Sequence, residues 1–495
     1  MMLEALLGGF GFEIAAGTPD KDACALIYHS DKTVPGSAFF AINGTERDGR
    51  SYMESAAQKG ACLIVTERGG PETDGLLKRL SAQYGLTAVY TESTRKALAA
   101  ASAEFYGRPA DELMLIGVTG TKGKTTTTFM VKEILEAAGI KTGIIGTVVS
   151  GYAGCYEEAS NTTPQSTDIH SALRKMADAG CRAAVIEVSS QGLMQERTFG
   201  LNFDSAIFTN IYPDHIGGRE HKNFEDYIYW KSRLFKQTKT AIINRDDPHW
   251  GYIAGESEAD RIVTFSTAGD TSADYIASDI RLMWQRDILG VSFNTRGLEF
   301  VLGMPGKFNA ANALGAAACA ETLGVDMSIA AKALADVRVR GRTEQVDLNE
   351  DFTVLVDYAH NGPALESLLS TLREYEPARL IPVFGCGGER DRNRRLEMGR
   401  CAAELADFTV VTSDNPRREK PMDIIRDIIS AMAEEEGSYT VIPDRREAIR
   451  WTVSQAQTGD IIIIAGKGHE TYQITGEEKR HFDDREEVLS AMGKI

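Results

Sequence analysis

The chain has 495 residues, 43% of them hydrophobic and 25% charged, which predicts an ordinary globular protein of about three domains. Its net charge of -17 excludes nucleic-acid or membrane-surface binding that depends on overall charge. Because the cysteines are scattered and the N-terminus lacks the basic region of a signal peptide, we expect a cytoplasmic protein. No long apolar run is present, and with the acidic net charge we expect no membrane or nucleic-acid partner. We expect the protein to be a monomer.

The first part of the chain, residues 1–90, predicts a small α/β domain. Short apolar runs at 38–42 and 62–66 are typical of strands and are separated by polar turns and a helix-like segment. Ser30 lies in such a polar segment and is a candidate ligand contact, although turn chemistry alone explains a serine there.

Residues 113–131 carry the strongest functional signal. The apolar run 113–118 predicts a buried parallel strand, and the spacing over 125–138 predicts a helix that ends at Gly139. The turn between them contains Gly120, Thr121, Lys122, Gly123, Lys124, Thr125 and Thr126. Glycines let backbone N–H groups approach phosphates, a helix N-terminus favours anions, and the lysine and threonine suit the outer phosphates and Mg²⁺. The stretch therefore predicts a nucleoside-triphosphate loop, since a plain glycine turn would not need both the strand and the helix.

The block 91–342 alternates strands with helices, which predicts a doubly wound sheet that binds ligands at the carboxyl ends of its strands. Glu187 ends one strand, and His215 follows the next. Glu187 alone is explained as an exposed strand-end carboxylate, but a carboxylate and an imidazole beside a phosphate loop fit Mg²⁺ better.

Two further residues of this block lie on predicted helices. Lys231 is on an amphipathic helix over 224–237, where spacing assigns it no role beyond that of a solvated side chain. Asn309 opens an Ala-rich helix and is a candidate for contacting a base edge.

Residues 343–495 restart the α/β pattern. Strands are predicted within 353–360, 379–395, 408–419 and 460–470, and the last three lead into loops rich in glycine and charged residues. Glycine turns alone have structural uses, but several arginines at carboxyl ends indicate a carboxylate-binding site.

Taken together, these motifs resemble the Mur ligases, and among them the ligases that add the third amino acid to the peptidoglycan precursor. The matching motifs occur in order along nearly the whole chain, at 120–126, 161–164, 187–190, 308–309, 341–342, 356–360, 385–388, 414–417 and 466–470. The resemblance implies an α/β fold of three domains: an N-terminal precursor-binding domain (1–90), a central P-loop ATPase-like domain (91–342) and a C-terminal Rossmann-like, amino-acid-binding domain (343–495).

The resemblance also implies roles for individual residues. The UDP-precursor contacts would be Ser30, Asn161, Thr162, Thr163, Ser189, Gln195 and Arg197. The ATP contacts would be the loop residues 120–126 together with Asn309, Arg342 and Asp357. Mg²⁺ would be held by Thr125, Glu187, His215 and Lys231, the last carbamylated by CO₂. Catalysis would rest on Lys124, Glu187, His215 and Lys231. The incoming amino acid would meet Arg390, Asp414, Asn415, Pro416, Arg417, Gly466 and Glu470.

The implied reaction joins an amino acid to UDP-N-acetylmuramoyl-L-alanyl-D-glutamate in cell-wall synthesis. Because a carboxylate is a poor acyl donor, ATP would convert it to an acyl phosphate, from which the incoming amine displaces phosphate. Mg²⁺ and a lysine would neutralise charge during phosphoryl transfer.

We expect the added amino acid to be meso-diaminopimelate, because Arg417 suits the distal carboxylate that L-lysine lacks. L-Lysine is the alternative, since the segment 214–221 departs from the usual pattern and is similar to that of lysine-adding members. A folylpolyglutamate-synthase-like ligase is disfavoured by the 414–417 motif. A silent scaffold paralogue is disfavoured by the retained residues Lys124, Glu187, His215 and Lys231.

Overall fold

The structure, a computed structural model, describes residues 1–44, 47–152, 154–158, 161–213, 216–217, 220–285, 288–435 and 437–495. The chain forms two compact units: Met1–Phe265 with Ala318–Val325, and Ser266–Ala317 with Asp326–Ile495. Over the described ranges, none of the helices combines the length and apolarity that crossing a bilayer requires.

The first unit begins with a small α/β layer. Its elements are α1 (Leu3–Leu7), β1 (Glu13–Ala16), β2 (Leu26–Ile27), β3 (Ala38–Phe40), α2 (Met53–Gln58), β4 (Leu63–Thr66), α3 (Pro71–Tyr84), β5 (Thr87–Tyr90) and α4 (Thr94–Phe105). The strand order is β1-β5-β4-β3-β2, with only the β1 pairing antiparallel. Helix α4 contributes Ala97, Leu98 and Ala101 to the core of this layer.

A larger sheet follows in the same unit. Its elements are β6 (Met114–Thr119), α5 (Lys124–Ala137), β7 (Thr142–Ile145), β8 (Val149–Tyr152), β9 (Cys155–Glu158), α6 (Ser166–Asp178), β10 (Ala183–Glu187), α7 (Ser190–Met194), β11 (Phe203–Phe208), α8 (Phe224–Ser232), β12 (Thr238–Asn244), α9 (Trp250–Glu256) and β13 (Arg261–Ser266). The strand order runs β13-β12-β11-β6-β10-β7-β8-β9.

The register of this sheet brings the predicted ligand-binding ends together. Parallel pairing sets Glu187 of β10 opposite Val118 of β6, and Phe208 of β11 opposite Thr119. The order reverses beside β6, so the turn after β6 lies at a topological switch point, where doubly wound sheets bind ligands.

The second unit contains β14 (Tyr275–Ile276), β15 (Ser278–Gln285), β16 (Ile288–Thr295), β17 (Leu298–Leu302), α10 (Lys307–Thr322, whose end at 318–322 belongs to the first unit), α11 (Met327–Ala335), β18 (Glu344–Gln345), β19 (Thr353–Asp357), α12 (Gly362–Arg373), β20 (Arg379–Phe384), α13 (Arg392–Leu405), β21 (Thr409–Val411), α14 (Pro421–Glu434), β22 (Tyr439–Val441), α15 (Arg445–Ser454), β23 (Asp460–Ala465), β24 (Tyr472–Thr475), β25 (Glu478–His481) and α16 (Asp484–Ala491). Its main sheet has the order β18-β19-β23-β20-β21-β22, and β15-β16-β17 form a separate antiparallel sheet.

The strands of the main sheet also end side by side. Asp357 of β19 pairs with Ala465 of β23, and Phe384 of β20 pairs with Val411 of β21. Apolar side chains cover both faces of this sheet. The loops that begin at 358, 385, 412 and 466 therefore share one edge.

The α/β fold class expected from the sequence is confirmed. Some element bounds differ: the helix expected over 224–237 ends at Ser232 and continues as a 3₁₀ turn, Arg233–Gln237. The strand expected over 353–360 ends at Asp357. The boundaries expected between three domains, 1–90, 91–342 and 343–495, stay a prediction.

Candidate active site

The phosphate loop lies between β6 and α5, as the sequence predicts. Gly123 has a φ of +82° and precedes the first helical residue, a conformation that a side chain would strain. The end of β11 fixes the loop, because Asn210 accepts a hydrogen bond from the Lys122 N–H at 3.0 Å and Thr209 Oγ1 donates to the Lys122 carbonyl at 2.7 Å. Lys124 Nζ donates to the Gly120 carbonyl at 2.9 Å and to the Thr121 carbonyl at 3.0 Å. These two bonds hold the Lys124 side chain against the phosphate loop.

Glu187 lies buried beside this loop. Its Oε2 accepts from Thr125 Oγ1 at 2.9 Å and from Thr147 Oγ1 at 3.0 Å, and its Oε1 accepts from the Thr147 N–H at 2.8 Å. A Cβ at Gly146 would overlap Oε1, so the turn at 146–147 encloses the carboxylate closely. A hydroxyl and a carboxylate oxygen in contact at the start of a phosphate-loop helix are the hard donors that Mg²⁺ takes.

The Thr125 hydroxyl and the Glu187 carboxylate are oxygen donors of the kind that Mg²⁺ binds. Within the part of the chain that the structure describes, no three His, Cys, Asp or Glu side chains cluster as ligands for one ion. The predicted ligand His215 lies outside the described residues.

Lys231 is buried, with 1% of its surface exposed, so the solvated side chain expected from spacing alone is wrong. Helix α8 turns it inward, where Nζ donates to the Gly120 carbonyl at 2.8 Å and lies 4.6 Å from the centroid of the Tyr227 ring. Two lysines, Lys124 and Lys231, therefore meet the same loop carbonyl.

The predicted precursor contacts lie next to Glu187. Thr163 Oγ1 donates to the Glu187 carbonyl at 2.8 Å, lies 3.1 Å from Ser189 Oγ and accepts from the Ser189 N–H. Thr162 Oγ1 lies within hydrogen-bond distance of Thr147 Oγ1, at 3.0 Å. Asn161 is exposed at the start of this segment. The residues predicted to hold Mg²⁺ and those predicted to contact the precursor thus form one hydrogen-bonded network.

Arginines border this network. Arg197 donates to the Thr163 carbonyl and, at 2.8 Å, to Gln195 Oε1, which also accepts from Arg95 at 3.5 Å. Burial lowers the pKa of both guanidinium groups, and each lacks a carboxylate partner in an ion pair among the described residues. Arg95 and Arg197 are both half-buried and both contact the Gln195 side chain, an arrangement that suits an anionic ligand.

Ser30 is buried in the N-terminal layer, and its carbonyl accepts from Lys59 Nζ at 3.0 Å.

The residues predicted to contact the amino acid come together at the edge of the second unit's main sheet. Asn415 Nδ2 donates to Glu470 Oε2 at 2.9 Å, and a Cβ at Gly466 would lie 2.6 Å from Asp414 Oδ2. Arg417 Nη1 donates to the Gly388 carbonyl at 2.6 Å, a bond that brings the loop after β21 against the loop after β20.

Arg390 completes this group. The Cγ of Arg390 lies 3.7 Å and Arg417 Nη1 lies 3.3 Å from the position that a Cβ on Gly387 would take. Pro416 is buried between Asn415 and Arg417. The cluster therefore offers guanidinium groups for carboxylates and carboxylate or amide oxygens for amines.

The remaining predicted nucleotide contacts lie in the second unit. Asn309 is buried, and its amide donates to the Pro305 carbonyl at 2.8 Å and accepts from Asn312 at 3.1 Å. Asp357 accepts from the Thr343 and Ala359 N–H groups at 2.7 and 2.8 Å. Burial raises the pKa of Asp357, while the nearby Arg342 guanidinium acts to lower it. Their contacts with a nucleotide stay predictions.

Sequence reasoning missed Thr147 and Arg95, which belong to these networks. It also missed Lys467, whose Nζ donates to Asn415 and Glu470 at 3.2 Å each. Thr147 and Arg95 have no motif of their own that would have singled them out. Lys467 lies inside the 466–470 motif, but a lysine in a glycine loop is normally taken as solvated, whereas its exposed fraction is 0%.

Comparisons with known proteins agree with this geometry. Residues 118–320 match the Mur ligase middle domain, and residues 341–468 match the Mur ligase, glutamate ligase domain. The chain is 39% identical over 499 residues to a UDP-N-acetylmuramoyl-L-alanyl-D-glutamate--2,6-diaminopimelate ligase of Clostridium perfringens, covering 99% of both chains. It is 39% identical over 495 residues to the ligase of the same name from Caldanaerobacter subterraneus, covering 100% of this chain and 99% of the relative.

A solved structure of a UDP-N-acetylmuramoyl-L-alanyl-D-glutamate--2,6-diaminopimelate ligase superposes with a TM-score of 0.69 at 29% identity, over 100% of this chain and 99% of the other. Similarity at this level over the full length, with the phosphate loop and the strand-end clusters in the same chain, establishes the family. The chain belongs to the Mur ligase family.

Proposed function

We propose that the chain is an ATP-dependent, Mg²⁺-requiring ligase that adds meso-diaminopimelate to UDP-N-acetylmuramoyl-L-alanyl-D-glutamate in peptidoglycan synthesis. The observation that carries the proposal is the cluster of Asp414, Asn415, Arg417 and Glu470 at the ends of β21 and β23. The full-length relatives named as ligases of this substrate pair support the same assignment.

The phosphate loop binds the ATP triphosphate in this proposal. Its N–H groups and the start of α5 face the phosphates, and Lys124 balances the charge that develops during transfer. Thr125 and Glu187, with His215, would hold Mg²⁺, which supplies charge neutralisation at the phosphates when bound. The transfer yields an acyl phosphate on the precursor carboxylate, and the amine of the amino acid then displaces phosphate.

Lys231 fits a carbamate in this site. A carbamate keeps one N–H on Nζ, so the hydrogen bond to the Gly120 carbonyl is compatible with the modification. The added carboxylate changes a buried cation beside the phosphate loop into an anion, which removes a like charge from next to Lys124.

Amino-acid selection rests on charge pairing. Arg417 and Arg390 would bind carboxylates of diaminopimelate, and Asp414 and Glu470 would accept from its amines. L-Lysine lacks one carboxylate, so the guanidinium of Arg417 would keep its hydrogen bond to the Gly388 carbonyl but gain no anionic partner, which disfavours L-lysine.

The proposal is tested by measuring ADP release from the full chain with the UDP-precursor, Mg·ATP and a panel of amino acids. We expect release to require the precursor and to be fastest with meso-diaminopimelate. Equal rates with L-lysine at equal concentration would overturn the amino-acid assignment. Release with a folate substrate, or none with any amino acid, would overturn the reaction itself.

A further inference from the structure

Lys467 is a charged side chain with none of its surface exposed, next to the proposed amino-acid site. Its Nζ donates to Asn415 Oδ1 at 3.2 Å and to Glu470 Oε2 at 3.2 Å, and lies 5.4 Å from the centroid of the Tyr472 ring. A buried ammonium is tolerated only where partners replace its water, so these contacts determine the position of the side chain.

The three side chains form a closed triangle. Asn415 Nδ2 donates to the same Glu470 Oε2 at 2.9 Å, and Asn415 Oδ1 also accepts from the Ile474 N–H at 2.9 Å. Two donors on Oδ1 and one acceptor at Nδ2 fix the orientation of the amide. Each member of the triangle is therefore oriented by the other two.

The triangle also joins two loops that the sheet keeps apart. Asn415 follows β21, whereas Lys467 and Glu470 follow β23, and β20 lies between these two strands. The ladder of the main sheet does not pair these two strands directly. The backbone of Arg417 pairs with Ile474 and Gly476, further along the segment that follows β23, and the triangle adds a side-chain link closer to the strand ends. Lys467 is the member that carries a charge opposite to that of Glu470.

The arrangement leaves a defined part of Glu470 for a ligand. Oε2 already accepts from Lys467 and Asn415, whereas Oε1 accepts no hydrogen bond from the residues that the structure describes. A carboxylate held through one oxygen presents the other at a fixed point. That is what recognition of a ligand amine requires.

We propose that Lys467 is a positioning residue for amino-acid binding: it holds Asn415 and Glu470 so that Glu470 Oε1 accepts from an amine of the incoming amino acid. The inference rests on the proposed function and deepens it. Lys467 does not touch the substrate. It sets the affinity for the amino acid and leaves that for ATP unchanged.

The test is the steady-state kinetics of Lys467→Met in the full chain, with each substrate varied in turn. Methionine has a similar length and no donor. We expect the KM for meso-diaminopimelate to rise at least about tenfold, the effect of losing roughly one buried charged hydrogen bond. The KM for ATP should stay within about twofold, the scatter expected where no contact is lost.

Two comparisons separate positioning from general destabilisation. Lys132→Met removes another buried lysine, which pairs with Glu133 and Glu136 on α5, and should leave the KM for the amino acid unchanged. Adding Asn415→Ala to Lys467→Met should raise that KM little further, because both changes open the same triangle.

An unchanged KM for meso-diaminopimelate in Lys467→Met, or an equal rise in the KM for ATP, would overturn the inference. Should the methionine variant not fold, Lys467→Gln serves instead. Its neutral, shorter side chain cannot span both partners, and a wild-type KM there overturns the inference too. Failure of the wild-type chain to use meso-diaminopimelate would refute the proposed function, whereas normal wild-type use with an unaffected variant refutes this inference alone.

Discussion

At the scale of single residues, Arg417 is constrained in both backbone and side chain. Its φ is +51°, a left-handed conformation that is uncommon for a residue with a side chain. Its N–H donates to the Ile474 carbonyl at 3.1 Å, and its carbonyl accepts from the Gly476 N–H at 2.7 Å. Such strain persists where the surroundings hold it, and it is frequent at ligand sites.

We predict that Arg417→Ala loses diaminopimelate incorporation by at least about 10²-fold, as expected for a buried carboxylate without its guanidinium. ATP binding should change little, because the hydrogen bonds of Arg417 among the described residues go to Gly388, Ile474 and Gly476, all in the second unit and none of them a predicted nucleotide contact. Steady-state incorporation and nucleotide titration on one preparation measure both. Arg418→Ala is the matched control, since that neighbour is exposed and pairs with the exposed Glu477. Equal losses in the two variants would contradict the assignment.

Lys231 gives a second prediction at this scale. Lys231→Ala should be nearly inactive, and acetate or formate should restore part of the activity by occupying the place of the carbamate carboxylate. Activity with and without these anions is the measurement, and mass spectrometry of the intact wild-type chain at raised CO₂ checks the modification directly. A variant that turns over normally, or gains nothing from either anion, argues against the carbamate.

At the scale of elements, the turn after β7 holds the carboxylate at the end of β10. Thr147 donates to Glu187 through both its N–H and its hydroxyl, and the hydroxyl also lies 3.0 Å from Thr162. The turn therefore joins the phosphate-loop side of the site to the precursor side.

Thr147→Val should lower kcat by roughly tenfold, since it removes about 1–1.5 kcal/mol of hydrogen bonding while keeping the side-chain shape. The Mg²⁺ concentration for half-maximal activity should rise in the same variant. Thr147→Ser retains the hydroxyl and should stay close to wild type. Identical Mg²⁺ titrations for valine and serine would show that the hydroxyl does not orient Glu187.

At the scale of the whole molecule, His170 links stability to pH. This histidine on α6 is 3% exposed, and burial lowers its pKa from 6.5 to about 4. Between these values the unfolded chain binds a proton that the folded chain does not. The contribution of the neutral, buried His170 to the free energy of unfolding is therefore fully present above pH 6.5 and is lost as the pH falls towards 4.

The size of the pKa shift corresponds to a loss of about 3 kcal/mol in the free energy of unfolding. We predict that His170→Leu has a smaller drop in its thermal midpoint between pH 7 and pH 5 than the wild type. His29→Asn, which alters an exposed histidine of the N-terminal layer, should keep the wild-type drop. An equal drop in the thermal midpoint of all three proteins would show that His170 does not contribute to the acid sensitivity.

The sequence alone determined the local features of this protein. The phosphate loop, the strand-end motifs and the α/β alternation depend on neighbouring residues and on periodicity, so they are readable from the chain. The helix expected over 125–138 was confirmed as α5, and the strand expected at 113–118 as β6, each within a residue of its bounds.

Only the tertiary structure decided which side chains are buried together. Lys231 and Lys467 both look solvated in sequence, because a lysine on a helix or in a glycine loop is usually exposed. Their burial results from contacts with Gly120, Asn415 and Glu470, two of which are distant in the chain. Likewise, Thr147 meets Glu187 only because β7 pairs with β10. Pairing between separate strands has no local signature, so the networks that orient the site became visible only in the folded chain.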